Sequence, residues 1–556
     1  MALLYRPTRV ATAILIASII YLAVRHASRK EEWTLSQWPQ AQGSQWQTPQ
    51  WQPSIPEPET KHDPPDDFQN NVHSNVPTDF LNELETEPSN ENDALGLQDL
   101  PQTIPIATSA IRPEPAFGTE QAQPLPTSTE LVVDAHKLST TDSFWPHFKA
   151  VTKIPGITMA EAKAGCTWPA LNEVNFQYDA QSEWVAQDRN DIELELRRQQ
   201  WHSFIDNELI PYGPHQDRFA GRGIVIVAGN QKSMNRVRVI LRALTKLGST
   251  LPIEIHYWDD EMTEELQSEI SLMWPQMYFN DLSKPTNIFK TNHDGPYINY
   301  QLKTAAVINS RFAEPLLLDS DNIPIIAPET LYESSTYQEY GTLFWPDIAR
   351  TRSNNPIWAI TNTECRMDEY EQESGQLIVD KRKFFYHLQL AAWFNNNYAD
   401  YYNEFLLGDK DTFRFAWHAL KTKYGSPPKW LTSVGTLTDD FYCGHSFAQH
   451  HPDGRVAFLH GGLIKTIAKE VMQWQRESRG GIFQVYKRSE HDEHHMINVK
   501  VSIKWDDAKY LPNRPPSVDV ASCTDFYDVT PQPLDEIIPG FEQLYEELGG
   551  YWMLED

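Results

Sequence analysis

Cysteine is scarce in this chain: four in 556 residues. That density excludes a scaffold held together by disulfides. Basic residues are few beside acidic ones, 47 Lys and Arg against 76 Asp and Glu, so the net charge is 47 − 76 = −29. A deficit of that size argues against a nucleic-acid binder, whose affinity rests largely on neutralising phosphates. Apolar residues make up 40 % and mean hydropathy is −0.54, which excludes a polytopic membrane protein but not a single anchor. There is no Asn-x-Ser/Thr sequon, so no N-glycan is expected. Aromatics, in contrast, are plentiful: 18 Trp, 23 Tyr and 24 Phe require a real core somewhere. At roughly 100–200 residues per domain, the length allows two to four units.

The composition shifts along the chain. Val10 to Val24 is an apolar run between Arg6 and Arg9 on one side and Arg25, Arg29 and Lys30 on the other. As a helix it would rise about 22 Å, short for a bilayer core of ~30 Å, but the flanking Arg side chains can snorkel. A cleaved signal peptide is the alternative. The stretch after the run, Arg25-His-Ala-Ser-Arg-Lys30, offers no clean small-x-small site. The expectation is therefore a tail over 1–9 and an uncleaved signal anchor over 10–24. Residues 25–150 read as a disordered acidic stem. Within 31–150 there are 19 acidic against 4 basic residues, and 16 of the 39 prolines. Such a segment cannot bury enough apolar surface to offset its chain entropy. Residues 151–556 read as the globular domain, with the change of character starting near Phe144.

The globular part alternates strand and helix signals. Gly221–Gly229 is a β-branched run between glycines, and Met234–Leu247 has helical spacing. Ile253–Trp258 reads as a second strand, Glu261–Met273 and Thr304–Phe312 as helices, and Pro315–Leu318 as a third buried strand. That alternation predicts an α/β fold on a parallel sheet, with ligands at the carboxyl ends of the strands.

One stretch carries chemistry. In Leu316-Leu-Leu-Asp-Ser-Asp-Asn-Ile-Pro324 a buried strand runs straight into two carboxylates spaced i, i+2. In extended backbone both point to one face, where Asp319 and Asp321 can share a hard cation that prefers oxygen ligands. The alternative is a polar turn built on Asn322 and Pro324.

Further blocks follow in a fixed order: Tyr300-Gln-Leu-Lys303, Leu343-Phe-Trp-Pro-Asp347, Asn355-Pro-Ile-Trp358, Glu373-Ser-Gly-Gln376 and Gly408-Asp-Lys-Asp-Thr-Phe413. Together with the Asp-x-Asp stretch they resemble the fungal mannan-type Golgi mannosyltransferases, most closely the α-1,2 branch, from about Gly221 to Lys465. The resemblance implies a GT-A fold, with a single nucleotide-binding sheet centred on the Asp-x-Asp. It implies a type II Golgi membrane protein that takes GDP-mannose as donor and Mn²⁺ as cofactor. Its acceptor would be an α-mannoside of cell wall mannan or N-glycan outer chains, with retention and α-1,2 linkage. The α-1,3 linkage is the alternative within the family. A non-catalytic scaffold subunit working with other mannosyltransferases is the alternative outside it, and an intact Asp-x-Asp argues against that.

The same resemblance distributes roles. Asp319, Asp321 and His460, the last in Ala457-Phe-Leu-His-Gly-Gly-Leu-Ile-Lys465, would hold the metal. Lys465, Lys303 and Gly229 would lie on the donor side. Glu373, Asp409 and Asp411 are the carboxylate candidates near the sugar, with helix capping as the alternative for the two Asp. Trp345 and Asp347 would shape the acceptor side, with core packing and a turn cap as their alternatives. His491, His494 and His495 lie in a very polar segment and read as an exposed loop. Cys166, Cys365, Cys443 and Cys523 allow three full pairings, and spacing does not choose among them.

Overall fold

The computed structural model describes residues 138–167, 187–293, 298–406, 408–430, 432–438, 441–461, 469–488, 499–500, 525–526 and 529–554. The expected tail, the anchor, the stem up to residue 137, Lys465 and the His491–His495 segment lie outside the described residues. Among the described residues no helix is long and apolar enough to cross a membrane.

Two six-stranded sheets make the frame. The first is built around β1 (Arg222–Val227), β2 (Ile253–Tyr257), β3 (Met277–Asp281) and β4 (Glu314–Leu318). Their spatial order is β3-β2-β1-β4, all parallel, with Val227 opposite His256 and Ile226 opposite Leu318. Crossover helices α3 (Gln231–Lys246), α4 (Glu264–Met273) and α5 (Ile298–Asn309) join them. Earlier in the chain lie α1 (Phe144–Val151) and α2 (Asp191–Asn207). Side chains alternate across the strands, so each strand feeds two cores. Ile224, Ile226, Leu316 and Leu318 pack under α3, against Val237, Ile240, Leu241 and Leu244. Val225 and Leu317 face the other way, onto Ala305 and Ile308 of α5.

The parallel order stops at β4. Beyond it come β7 (Gln372–Val379), antiparallel to β4, and then β6 (Thr342–Pro346), antiparallel to β7. The second sheet is antiparallel throughout. It uses β5 (Asn322–Pro324), β8 (Thr432–Thr438), β9 (Phe441–His450), β10 (Val456–His460), β11 (Val485–Lys487) and the short Gln532–Pro533, in the order Gln532–Pro533, β11, β8, β9, β10, β5. The expected single sheet is therefore corrected to two large ones with a two-stranded pair (Val499–Lys500, Asp525–Phe526) besides, and in the first sheet only β3, β2, β1 and β4 pair in parallel. The chain passes from one sheet to the other at residues 319–321, which makes the Asp-x-Asp turn the junction between them.

Two local features depart from the expected boundaries. The stem was expected to run to residue 150, but Leu138, Phe144, Phe148 and Val151 are buried in the main core. The Phe144 ring lies 4.8 Å from that of Tyr386, so apolar burial sets the boundary near 138. A chain starting at Leu138 should melt like the full protein. Phe148→Ala should cost about 3–5 kcal/mol, the usual range for emptying a buried phenylalanine site. Thermal denaturation of the two proteins checks this, and an unchanged Tm for Phe148→Ala would put α1 outside the core. Of the three cysteine pairings, the structure contains Cys166–Cys365, which ties the segment before α2 to the loop before β7 across 199 residues.

Candidate active site

Three side chains converge at the sheet junction. One ligand atom each from Asp319, Asp321 and His460 lies within 4.8 Å of the others. Local sequence explains the first two. Leu316–Leu318 is buried on both faces, and the chain turns as it leaves, with Asn322 N–H donating to Asp319 C=O at 3.1 Å. The carboxylates therefore meet across a turn and not along an extended strand, a correction to the geometry expected from their spacing. The third group arrives by sheet pairing. β10 runs antiparallel to β5 with His460 opposite Asn322, which sets the imidazole beside Asp321. His460 Nε2 is 3.3 Å from Asp321 Oδ1 and 3.7 Å from Asp319 Oδ2.

Glu373 holds the other side of the ring, with Oε2 3.2 Å from His460 Nδ1. Gly375 makes room for it: a Cβ there would come within 2.5 Å of the imidazole. Glu373 lies within β7.

Lys303, from α5, reaches over the pair. Its Nζ is 2.9 Å from Asp319 Oδ2 and 3.8 Å from Asp409 Oδ1. Asp409 precedes α7 (Lys410–Ala419), yet its side chain makes no capping hydrogen bond, so the helix-cap alternative fails for it. Asp411 is different. Its Oδ1 accepts from Arg414 at 2.7 Å and from the Gln372 backbone N–H at 3.1 Å, which makes it a buried structural carboxylate.

The electrostatics follow from burial and sign. Burial lowers the pKa of His460, but Glu373 and Asp321 outweigh it and hold the ring up at about 10. Burial raises Glu373, but the charge and hydrogen bond of His460, the Gly375 N–H and Lys303 together outweigh it and bring it to about 2. Asp409 is pushed up to about 6 by burial and by Asp319, against the pull of Lys303. Burial also works against the Lys303 ammonium, but Asp319 and Asp409 raise its pKa above the ordinary value.

This donor set fits a divalent cation. Two carboxylates and an imidazole are ligands of the right hardness. Once His460 is neutral, as a metal ligand must be, four carboxylates (Asp319, Asp321, Glu373, Asp409) face one ammonium, an excess of negative charge that a dication offsets.

The other expected residues fall around this centre. Gly229 ends the first βα turn, one strand from Asp319. Its N–H donates to Ser233 Oγ, and Asn230 caps α3. Trp345 is 1 % exposed, its ring edge-on to Phe458 at 5.7 Å and its Nε1–H donating to His450 C=O. It packs as a core residue, which corrects its placement on the acceptor side. Asp347 is not a turn cap but half of a buried ion pair: Lys410 Nζ lies 2.6 Å from Asp347 and 2.7 Å from Glu371. Lys410, Glu371 and Arg414 were not picked out from the sequence. The signal present was Lys410 between two Asp, which sequence alone cannot tell from a solvated turn.

Comparison with known proteins now has a geometry to bear on. Residues 221–372 and 358–451 match the family described as "Mannosyltransferase putative". Together the two matches run over residues 221–451. They include Asp319, Asp321, Glu373 and Asp409, and stop nine residues short of His460. Among relatives, Alpha-1,2-mannosyltransferase MNN21 of Candida albicans is 26 % identical over 42 % of this chain and 43 % of its own length. Alpha-1,2-mannosyltransferase MNN2 of Saccharomyces cerevisiae is 25 % identical over 35 % of this chain and 39 % of its own. A Saccharomyces cerevisiae protein named "Probable alpha-1,3-mannosyltransferase MNT4" is 24 % identical over 49 % and 53 %. The matched stretch thus spans about half or less of these relatives. Among solved structures, the Streptococcus pneumoniae glycosyltransferase GlyE overlaps at TM-score 0.27 and 15 % identity over 37 % of this chain and 45 % of that one. Mouse xyloside xylosyltransferase 1 overlaps at 0.26 and 13 % over 37 % and 85 %.

Proposed function

We propose that this protein is a metal-dependent α-mannosyltransferase. It transfers mannose from GDP-mannose to an α-mannoside of mannan or N-glycan outer chains, with retention and α-1,2 linkage. The observation that carries this is the Asp319–Asp321–His460 group, whose two carboxylates follow a parallel strand within the stretch that matches the mannosyltransferase family. The fold class proposed is GT-A. The proposed setting is the Golgi membrane, with the anchor and stem read from the sequence and the globular domain in the lumen.

The residues divide the work. Asp319, Asp321 and His460 would hold Mn²⁺, which supplies Lewis-acid stabilisation of the diphosphate leaving group. Glu373 fixes the imidazole by taking its Nδ1 side, leaving Nε2 toward the Asp pair. Lys303 already sits against Asp319, and in the loaded site its ammonium is placed to offset charge on the diphosphate. Gly229 lies at the same sheet edge, on the side of the nucleoside, and Lys465 is kept as a donor-side residue on sequence grounds. Glu373 and Asp409 border the space for the sugar. The donor is α-linked and the product α-linked, so configuration is retained. A departing phosphate that takes the acceptor proton would need no side-chain base, consistent with a site in which every carboxylate is already turned to a cation.

The relatives named as α-1,2 enzymes favour that linkage, and the one named as α-1,3 supports the second reading. The test uses the purified chain with GDP-mannose, Mn²⁺ and α-mannobiose. The product should resist an α-1,3-specific mannosidase and yield to an α-1,2-specific one. The reverse digestion would install the α-1,3 reading, and no transfer at all would favour a scaffold subunit.

A further inference from the structure

A large cleft in the described residues lies apart from the metal group. It encloses about 680 Å³, within the range of ligand-binding pockets. It opens between the Cys365–Gln372 segment, β6, and the end of α7 with the chain that follows. Gln372 lines it, while the next residue, Glu373, turns to His460.

The walls say what it would take. Four acidic residues and four Lys or Arg line it, so the cleft is close to neutral overall. Two of the four cations are already turned to carboxylates, and Lys421 donates to the backbone carbonyls of Thr361 and Asn362. Arg414 lies 3.0 Å and His418 2.8 Å from Glu369 Oε2, the Tyr424 hydroxyl donates to the same carboxylate, and exposed Arg366 forks onto Asp368 at 2.7 Å. A polyanion finds no concentrated positive charge there. Aromatic surface is present as well: half-buried Trp430 leans on Tyr370 at 4.5 Å between centroids, and half-buried Tyr424 lies beside it in the wall. Flat aromatic rings interleaved with fixed donors and acceptors match a ligand that is polar on its edges, apolar on its faces and uncharged.

The geometry points to this cleft as a second carbohydrate subsite, which holds residues of a neutral oligosaccharide remote from the reacting sugar. That the sugar is mannose, and that it belongs to the acceptor, rests on the function proposed above; the neutral-glycan chemistry does not.

Binding and transfer are measured separately. With the full chain in EDTA and no donor, α-linked mannopentaose should quench tryptophan fluorescence saturably, and GDP should not compete. Trp430→Ala should weaken this binding at least tenfold, and Arg366→Ala should weaken it less. In the transfer assay Trp430→Ala should raise KM for mannopentaose by a similar factor. It should leave kcat, KM for GDP-mannose and KM for methyl α-mannoside unchanged. A wild-type protein that does not bind mannopentaose, or two variants that bind it as well as wild type, would overturn the subsite. Displacement by GDP would also overturn it, by making the cleft a nucleotide site. Should Trp430→Ala fail to fold, Arg366→Ala alone decides, since its side chain is exposed and its loss leaves the core intact. Binding lost in the variants without any transfer in the wild type would keep the subsite and remove the transferase reading. Transfer with unaltered variants would do the reverse.

Discussion

Asp321→Ala should lower mannosyl transfer at least ~100-fold, the order seen when one group that stabilises transition-state charge is removed. The protein should nevertheless stay folded. Without metal, Asp321 is one of four carboxylates crowded around Lys303 and His460. Its removal relieves like-charge repulsion, and His460 keeps Glu373 as a partner. The Tm in EDTA should therefore be close to wild type.

Metal titration separates this from a purely structural role. In the wild type, Mn²⁺ at about 100 times its Kd should add about 2.7 kcal/mol of stability, because it binds only the folded site. In Asp321→Ala that increment should vanish. Wild-type activity in the variant, or a Tm that still rises with Mn²⁺, would overturn the assignment of this triad. EDTA should abolish transfer in the wild type, and Mn²⁺ should restore it.

The part of this site nearest the chain's local grammar was legible in advance. Leu316–Leu318 announces a buried strand, and an acidic pair straight after such a strand has few structural uses, so Asp319 and Asp321 stood out. His460 was marked by its family-like segment. What put it in reach of Asp321, the pairing of β5 with β10 across more than 130 residues, has no local signature. The second sheet was missed in part for the same reason. β8, β9 and β10 follow one another as hairpins, but β5, β11 and Gln532–Pro533 join them from far along the chain, and β5 is only three residues long. β3 escaped notice because most of its residues are half-buried, leaving no continuous apolar run. Trp345 was misread because an aromatic beside a proline and an acid suggests a sugar platform. In the fold it belongs to a strand buried along its whole length. The small size of Gly375 admits the His460 ring, a packing constraint with no local signature. Local pattern found the metal turn; burial decided everything that depends on which side of a strand a residue faces.

Burial also makes Lys410 the residue whose loss should be felt most in stability. Its ammonium lies between Asp347 and Glu371, with Asp411 3.9 Å away, and all four side chains are largely withdrawn from solvent. Lys410→Met would remove the ammonium that both Asp347 and Glu371 face. Breaking one side of such a buried network costs about 3–5 kcal/mol. In a folded part of about 400 residues that corresponds to a Tm lower by roughly 3–6 °C.

The sign of the pH dependence identifies the cause. Even with Lys410 present, burial holds both Asp347 and Glu371 above the ordinary carboxylate pKa, with Lys410 pulling each of them down. Without it both rise further. A carboxyl whose folded pKa exceeds its unfolded value of about 4 stabilises below that value, and loses its contribution as pH rises through the folded pKa. The Tm deficit of Lys410→Met should therefore be largest near pH 8 and shrink steadily toward pH 5. Adding Asp347→Asn and Glu371→Gln to it should recover much of the loss, because neutral amides in the same places need no cation. A deficit that does not change with pH would mean that Lys410 acts by packing and not by charge. A Tm unchanged at every pH would mean that the network is solvated, and that Glu373, whose charge Asp347 feels from beside the metal group, is not held in place by it.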